Sequence, residues 1–424
     1  MSVGFLEALQ ENDKKGLFIS DDDFINYRTG ILPLDYANGF FRKIYDNPKD
    51  PLKFRLKPVT GILGGTIITV IGETGSGKTT FADQLGYSII RKFKDGLMQH
   101  ADAEKTATKE RILQLAQAEP GEKRIILNKN HTTTDDMLQV IDRICNTKEK
   151  FGKEMKYEVP ELHADGSSGW IWVPTVIVVD SLASFTSADK NISDMGTNMD
   201  GARDAKALST FLNNILDRLW QYNITLICTN HIRPKINMPM QSSGPRGMMM
   251  LNNNVECLPR GQVSQYYSHT CIRINSIKSN MCNIAEDGYN GFVSNFIVAK
   301  SKSNFIGSTF RVAFDANYGF DPYYTLYYFA DDQGLIEGRN PYLRFRGHDD
   351  MKFNRKDFRN RFLEDEAFQA MVMTEIYPYL EAMMGSKESS FNERIPYGQV
   401  FDNIIPEFEK ADIDPSLIVE DSAA

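Results

Sequence analysis

The sequence predicts an α/β protein with a mostly parallel central sheet, and three observations support this. TIITVIG at 66–72, TVIVVD at 175–180 and ITLICTNH at 224–231 are near-continuous apolar runs, as expected of strands buried on both faces. Helical patterns stand between them: FADQLGYSIIRKF begins at Phe81 and DAKALSTFLNNILDRLWQYN begins at Asp204. Strands alternating with helices in this way build a parallel sheet covered by helices.

The elements follow in order along the chain. Residues 5–14 predict a short helix and 16–19 a short strand. Residues 44–64 are punctuated by Pro and Gly and read as a loop or insertion. The β-branched run ending at Gly72 is a strand, and the Gly-rich turn after it leads into the helix at Phe81. A second strand lies within DGLMQHADAE, 95–104, and residues 149–172 read as a surface insertion. The strands at 175–180 and 224–231 flank the long helix. From Ile232 to about Gln265 the chain carries Pro, Gly, Asn and clustered Met, and reads as a long loop. Strands resume at HTCIRINSI, FVSNFIVAKSK and STFRVAFDA, and beyond about residue 350 the periodicity is helical. Three regions are expected: an N-terminal segment 1–35, a core 36–345, and a C-terminal region 346–424.

Composition narrows the function classes. At 42% hydrophobic and 25% charged residues, the 424-residue chain reads as a folded soluble protein. No apolar run approaches the ~18 residues of a membrane span, and the opening MSVGFLEALQENDKK lacks the features of a signal peptide. Five scattered cysteines without CxxC spacing argue against a disulfide framework or a zinc site, so a reducing cytoplasm is expected. The net charge of −8 does not advertise a nucleic-acid binder, so any such contact must come from local patches. Arg344 to Arg361 holds seven Lys/Arg against three Asp/Glu, whereas Asp402 to the end holds seven Asp/Glu against one Lys. The first is a candidate surface for a second, duplex DNA, or a solvated charged face. The second is a candidate competitor for basic loops, or a solubilising tail.

The chemistry-bearing motif is Gly72-Glu73-Thr74-Gly75-Ser76-Gly77-Lys78-Thr79, followed by Thr80. It satisfies the phosphate-loop pattern between a strand and a helix. The glycines let backbone N–H groups turn toward a β-phosphate, Lys78 adds charge at the β/γ phosphates, and Thr79 offers a hydroxyl to Mg²⁺. Asp180 ends an apolar strand, where a carboxylate would hold the magnesium shell through water. Glu104, at the end of the second strand, is the candidate for activating the attacking water. ATP and Mg²⁺ are therefore the expected ligands.

In their order, GETGSGKTT, HADAEKT, TVIVVDSLASFT, TLICTNHIRPKI and FIVAKSKSNFIGSTFRVAFDANYGFD resemble the RecA-type recombinases, the phage UvsX branch in particular. The likeness spans roughly residues 5–345 and implies a RecA-like P-loop NTPase core. It would also bring a short N-terminal segment for subunit docking and a helical C-terminal region. It implies that Glu104 is the catalytic glutamate, and that Asp180 and Ser181 form the second nucleotide motif. His231 would sense the γ-phosphate and begin the second DNA loop. Lys300 and Lys302 would reach the neighbouring subunit's ATP. Two DNA loops are implied, at 189–201 and from Ile232 onward. In the second, Arg233, Lys235, Arg246, Arg260 and the backbone of Gly261 are the candidate DNA contacts. The partners implied are single-stranded DNA, duplex DNA in strand exchange, and further copies in a helical filament or ring, in the cytoplasm of a bacterial host if phage-encoded. A ring helicase of the DnaB or RadA type and a recombinase paralogue without turnover are the alternatives. Arg260-Gly261 stands where the family has paired glycines, and aromatics are absent from the loop until Tyr266 and Tyr267.

Overall fold

The computed structural model describes residues 25–45, 54–118, 121–129, 133–184, 199–234, 256–258, 263–277 and 291–384. The N-terminal helix and strand expected at 5–19, residues 189–198 of the loop expected at 189–201, and the acidic tail lie outside them; the last three residues of that loop, 199–201, instead begin a helix. Among the described residues nine strands form the central sheet: β1 (Ile67–Gly72), β2 (Leu97–Asp102), β3 (Ile125–Asn128), β4 (Thr175–Asp180), β5 (Ile224–His231), β6 (Thr270–Ile277), β7 (Gly291–Ser301), β8 (Thr309–Asp315) and β9 (Gly319–Asp321). Their spatial order is β9-β8-β7-β6-β1-β5-β4-β2-β3. The six from β6 to β3 run parallel. The remaining three are antiparallel. Only short turns separate β7 from β8 and β8 from β9, and a parallel return needs a crossover of a dozen residues or more. The protein is thus α/β with a large, mostly parallel sheet.

The helices are α1 (Leu32–Ala37), α2 (Lys78–Ile90), α3 (Lys109–Leu115), α4 (Thr134–Phe151), α5 (Met199–Gln221), α6 (Val263–Tyr267), α7 (Pro322–Asp332), α8 (Phe358–Glu364) and α9 (Glu366–Met383). One face of the sheet packs Ile68, Val70, Val176, Val178 and Ile272 against Phe81 and Leu85 of α2. The other packs Ile67, Ile177, Val179 and Leu226 against Leu208, Leu212 and Ile215 of α5 and Ile141 of α4. Strands covered on both faces have no solvated side, which is why their sequences lack polar alternation. No helix among the described residues is long and apolar enough to cross a membrane.

Two expectations change. The stretch 44–64, read as a loop, contributes the second strand of a hairpin, Phe40–Tyr45 with Phe54–Val59. Pro58 sits opposite Phe41 in this two-stranded ladder, where an outer edge needs no N–H donor. The insertion at 149–172 is also partly a hairpin, Lys156–Val159 with Gly169–Trp172. Its Glu161 pairs with Arg55 and with Lys57 at 3.0 Å, which docks one hairpin on the other.

Residues 346–384 pack on the same core as α7. Phe353, Phe358 and Phe368 contact one another at ring separations of 5.4–5.7 Å, and Phe358 meets Tyr327 at 5.6 Å. The basic stretch is largely answered by acids within the chain. Arg344 pairs with Glu337 and Asp349, Arg346 with Glu337, Arg359 with Asp321, and Arg361 with Asp365.

Asp35 of α1 is fully buried, and its Oδ1 accepts from Thr29 N and Thr29 Oγ1, each at 2.7 Å. Burial pushes its carboxyl up to about 7, against these two hydrogen bonds and Arg28. The folded state therefore binds more protons than the unfolded chain between about pH 4 and 7, and stability falls as pH rises through that window. Asn at this position keeps the acceptor and removes the buried charge. We expect Asp35→Asn to melt roughly 3 °C or more above wild type at pH 8, with the gap closing below about pH 4. Parallel melting curves across this range, followed by circular dichroism, would count against a buried ionisation here.

Candidate functional site

In a parallel sheet the carboxyl ends of the strands share one edge, where ligand crevices form. Register brings four ends together: His231 lies opposite Gly72, and Asp180 opposite Asp102. The Gly-rich loop follows β1. Gly77, with φ 91°, is the N-cap of α2. A Cβ there would meet Phe320 at 2.9 Å, and one at Gly72 would meet the Ile274 carbonyl oxygen at 2.3 Å. Neither position admits a side chain. The loop is therefore fixed against β6 on one side and β9 on the other, with the first turn of the 13-residue α2 above it. Such a helix start favours anions.

Lys78 is buried, and its Nζ donates to the Glu73 carbonyl at 2.6 Å. Burial lowers its pKa to about 8, opposed by Asp180, Glu104 and Glu73. Thr79 Oγ1 donates to Asp180 Oδ2 at 2.7 Å, and Thr229 donates to the other Asp180 oxygen. These oxygens suit a hard cation such as magnesium. Among the described residues no group of three or more His, Cys, Asp or Glu side chains forms a metal cage. A magnesium ion held by Thr79 and Asp180 would thus keep most of its shell for water and phosphate.

β2 ends at Asp102, so Glu104 lies in the turn beyond the strand rather than at its last residue. Asp102 Oδ2 accepts from Ala107 N at 2.8 Å and closes that turn. Glu104 Oε1 accepts from Ser181 Oγ at 2.6 Å and lies 3.3 Å from His231 Nε2. Three strand ends thereby converge on one partly exposed carboxylate. With an oxyanion or phosphate in the loop, a carboxylate so placed can orient or deprotonate a water.

Among the described DNA candidates, Arg233 is exposed, and Arg233–Pro234 pairs with Glu256–Cys257. Glu256 is held by Arg273 of β6 through two hydrogen bonds of 2.8 Å. Both feet of the 235–255 segment are therefore tied to β5 and β6, the strands flanking β1. Lys235, Arg246, Arg260 and Gly261 lie outside the described residues. Lys300 Nζ donates to the carbonyls of Gln265 and Tyr266, at 2.6 and 2.8 Å, so it engages α6 of its own chain. Lys302 is exposed, as are Tyr266, whose carbonyl Lys300 engages, and Phe305, three residues beyond Lys302, at 75% and 76%.

Thr229, Asp102 and the Asp83–His100 pair belong to this region and were not singled out from sequence. Thr229 follows Cys228, which lies opposite Val179, so strand register would have found it. Asp83 is an acid between the apolar Phe81-Ala82 and Leu85 of a helix, a position that is buried in the fold.

No protein-family model matches the chain, and none of the curated proteins matches it.

Proposed function

We propose that this chain is an ATP-dependent DNA recombinase with a RecA-like P-loop core, assembling in copies on single-stranded DNA. One observation supports this most: Glu104, the carboxylate suited to activating water, touches His231, the residue that opens the segment beginning at Ile232. Nucleotide state and the shape of that segment would then be read by a single hydrogen bond.

In this reading the loop amides and Lys78 hold the ATP phosphates, with Thr80 in the turn behind them. Thr79 and Asp180 would hold a magnesium ion, which would supply charge neutralisation at the phosphates. Glu104 orients the attacking water, and Ser181 fixes the Glu104 carboxylate. His231 passes the presence of the γ-phosphate to the DNA-gripping segment, where Arg233, Lys235, Arg246, Arg260 and Gly261 N–H would meet the backbone. To act as a switch, ATP must favour the gripping state by a few kcal/mol. Lys302 is exposed and free to be supplied to a neighbour's ATP, and Lys300 would join it on release from the Gln265 and Tyr266 carbonyls. Turnover would then require assembly.

The direct experiment is phosphate release with and without a single-stranded oligonucleotide, followed by electron microscopy of the same mixture. Stimulated turnover with filaments is expected. Rings that unwind duplexes would favour the helicase reading, and DNA binding without turnover the paralogue. A further expectation concerns the cation pair. Lys300→Ala/Lys302→Ala should lower DNA-stimulated turnover by about 10³-fold. Binding of a fluorescent nucleotide to the protein without DNA should stay within about twofold, because no neighbour is present to need the lysines. Unchanged turnover would remove the lysines from the site.

A further inference from the structure

A buried pair lies behind the loop and takes no part in the steps above. Asp83 is on α2, one turn beyond Lys78 and Thr79, and His100 is on β2, two residues before Asp102. Asp83 Oδ1 and His100 Nδ1 are 2.6 Å apart, and both side chains are inaccessible to solvent. The buried His100 Nε2 and Asp102 Oδ1 have no hydrogen-bond partner among the described residues. Alternate residues of a strand share a face, so His100 and Asp102 lie on the same side of β2.

The chemistry of the neighbourhood explains why a cation belongs there. Asp83, Asp102 and Asp180 all act on His100, and Lys129 Nζ lies 3.9 Å from Asp102. Burial opposes charge on the imidazole, but Asp83, with help from Asp180 and Asp102, outweighs it and holds His100 above its ordinary value. Burial likewise pushes Asp83 up, against His100. A buried ion pair is a poor source of net stability, since an apolar pair of similar volume often does as well. The location of the pair, rather than its stability, is what distinguishes it.

We propose that Asp83 and His100 are positioning residues for Glu104. They tie the helix carrying Lys78 and Thr79 to the strand whose end carries the Glu104 turn. The link runs from Asp83 through His100 along β2 to Asp102, and from Asp102 to the Ala107 N–H that closes the turn. The pair thus fixes the distance between the phosphate-holding group and the water-orienting group. The inference rests on the ATPase reading of this site.

The test uses the full chain with magnesium, ATP and an oligonucleotide. Asp83→Leu/His100→Leu replaces the pair by apolar bulk. It should keep nucleotide affinity within about threefold and lower kcat by about 100-fold, the effect of misplacing a reacting group by about 1 Å. His100→Asn, whose amide nitrogen can replace Nδ1 as donor to Asp83, should recover kcat to within about fivefold of wild type. A double-leucine variant with kcat near wild type would overturn the proposal, as would a loss confined to KM. If that variant does not fold, Asp83→Asn decides instead. It should reduce kcat and change its pH profile at unchanged nucleotide affinity, and a wild-type profile would overturn the proposal. Absence of turnover in the wild-type protein itself would remove the ATPase reading, and this inference with it, before any variant is compared.

Discussion

Lys78→Ala is expected to lower ATP turnover by about 10³-fold and to abolish nucleotide-dependent assembly. The ammonium is buried, and among the described residues it donates to the Glu73 carbonyl. Burial holds its pKa near 8 in the free protein. A triphosphate brings negative charge to a buried cation, an interaction that water screens poorly there. Two signs follow. Nucleotide affinity of the wild type should fall as pH rises through about 8, because the neutral amine attracts phosphate less; the alanine variant should lack that slope. Stability should move the other way. A folded pKa below the unfolded value means that the burial penalty is fully present below about 8 and fades toward the unfolded value near 10.4. At pH 7 without nucleotide, the alanine variant should therefore melt at or above wild type. Isothermal titration between pH 6.5 and 9 checks the first sign and thermal melts the second. Tight, pH-independent nucleotide binding by Lys78→Ala would detach the loop from phosphate recognition.

Glu104→Gln should separate binding from chemistry. The glutamine carbonyl can still accept from Ser181 Oγ and His231 Nε2, so the geometry of the three strand ends is retained. The amide cannot take a proton from water, and loss of a general base costs about 10²–10⁴ in rate. Nucleotide and oligonucleotide binding, followed by anisotropy, should persist while phosphate release stops, and complexes on DNA should last longer than in wild type. Normal hydrolysis by the glutamine variant would mean that another group handles the water. Asp102 is a poor substitute, since its carboxylate is buried away from solvent and its Oδ2 accepts from the Ala107 N–H.

How much of this was legible in the chain varies with the length scale of the cause. The strands TIITVIG, TVIVVD and ITLICTNH could be read because burial on both faces leaves a continuous apolar signature. The hairpin from Phe40 to Val59 could not, because Pro58 and the surrounding breakers carry the signs of a loop, and only a free strand edge makes them tolerable. The antiparallel edge, β7 to β9, follows from turn length rather than from any feature of those strands. The basic stretch from Arg344 to Arg361 looked like an unanswered charge patch. Several of its carboxylate partners, Glu337 and Asp321 among them, lie outside the stretch.

The sequence alone determined the Gly-rich loop and its lysine, because backbone turns of that shape accept few residue types and are closed within eight positions. It also determined the buried strands that flank the loop. Tertiary structure alone decided that Ser181 and His231, 77 and 127 residues from Glu104, meet at one carboxylate. It alone placed the acid of α2 against the histidine of β2. Local motifs are set by the backbone's own sterics, whereas these meetings depend on which strand lies beside which. Side-by-side order in a sheet is fixed by burial of the whole apolar core, and no single segment carries it.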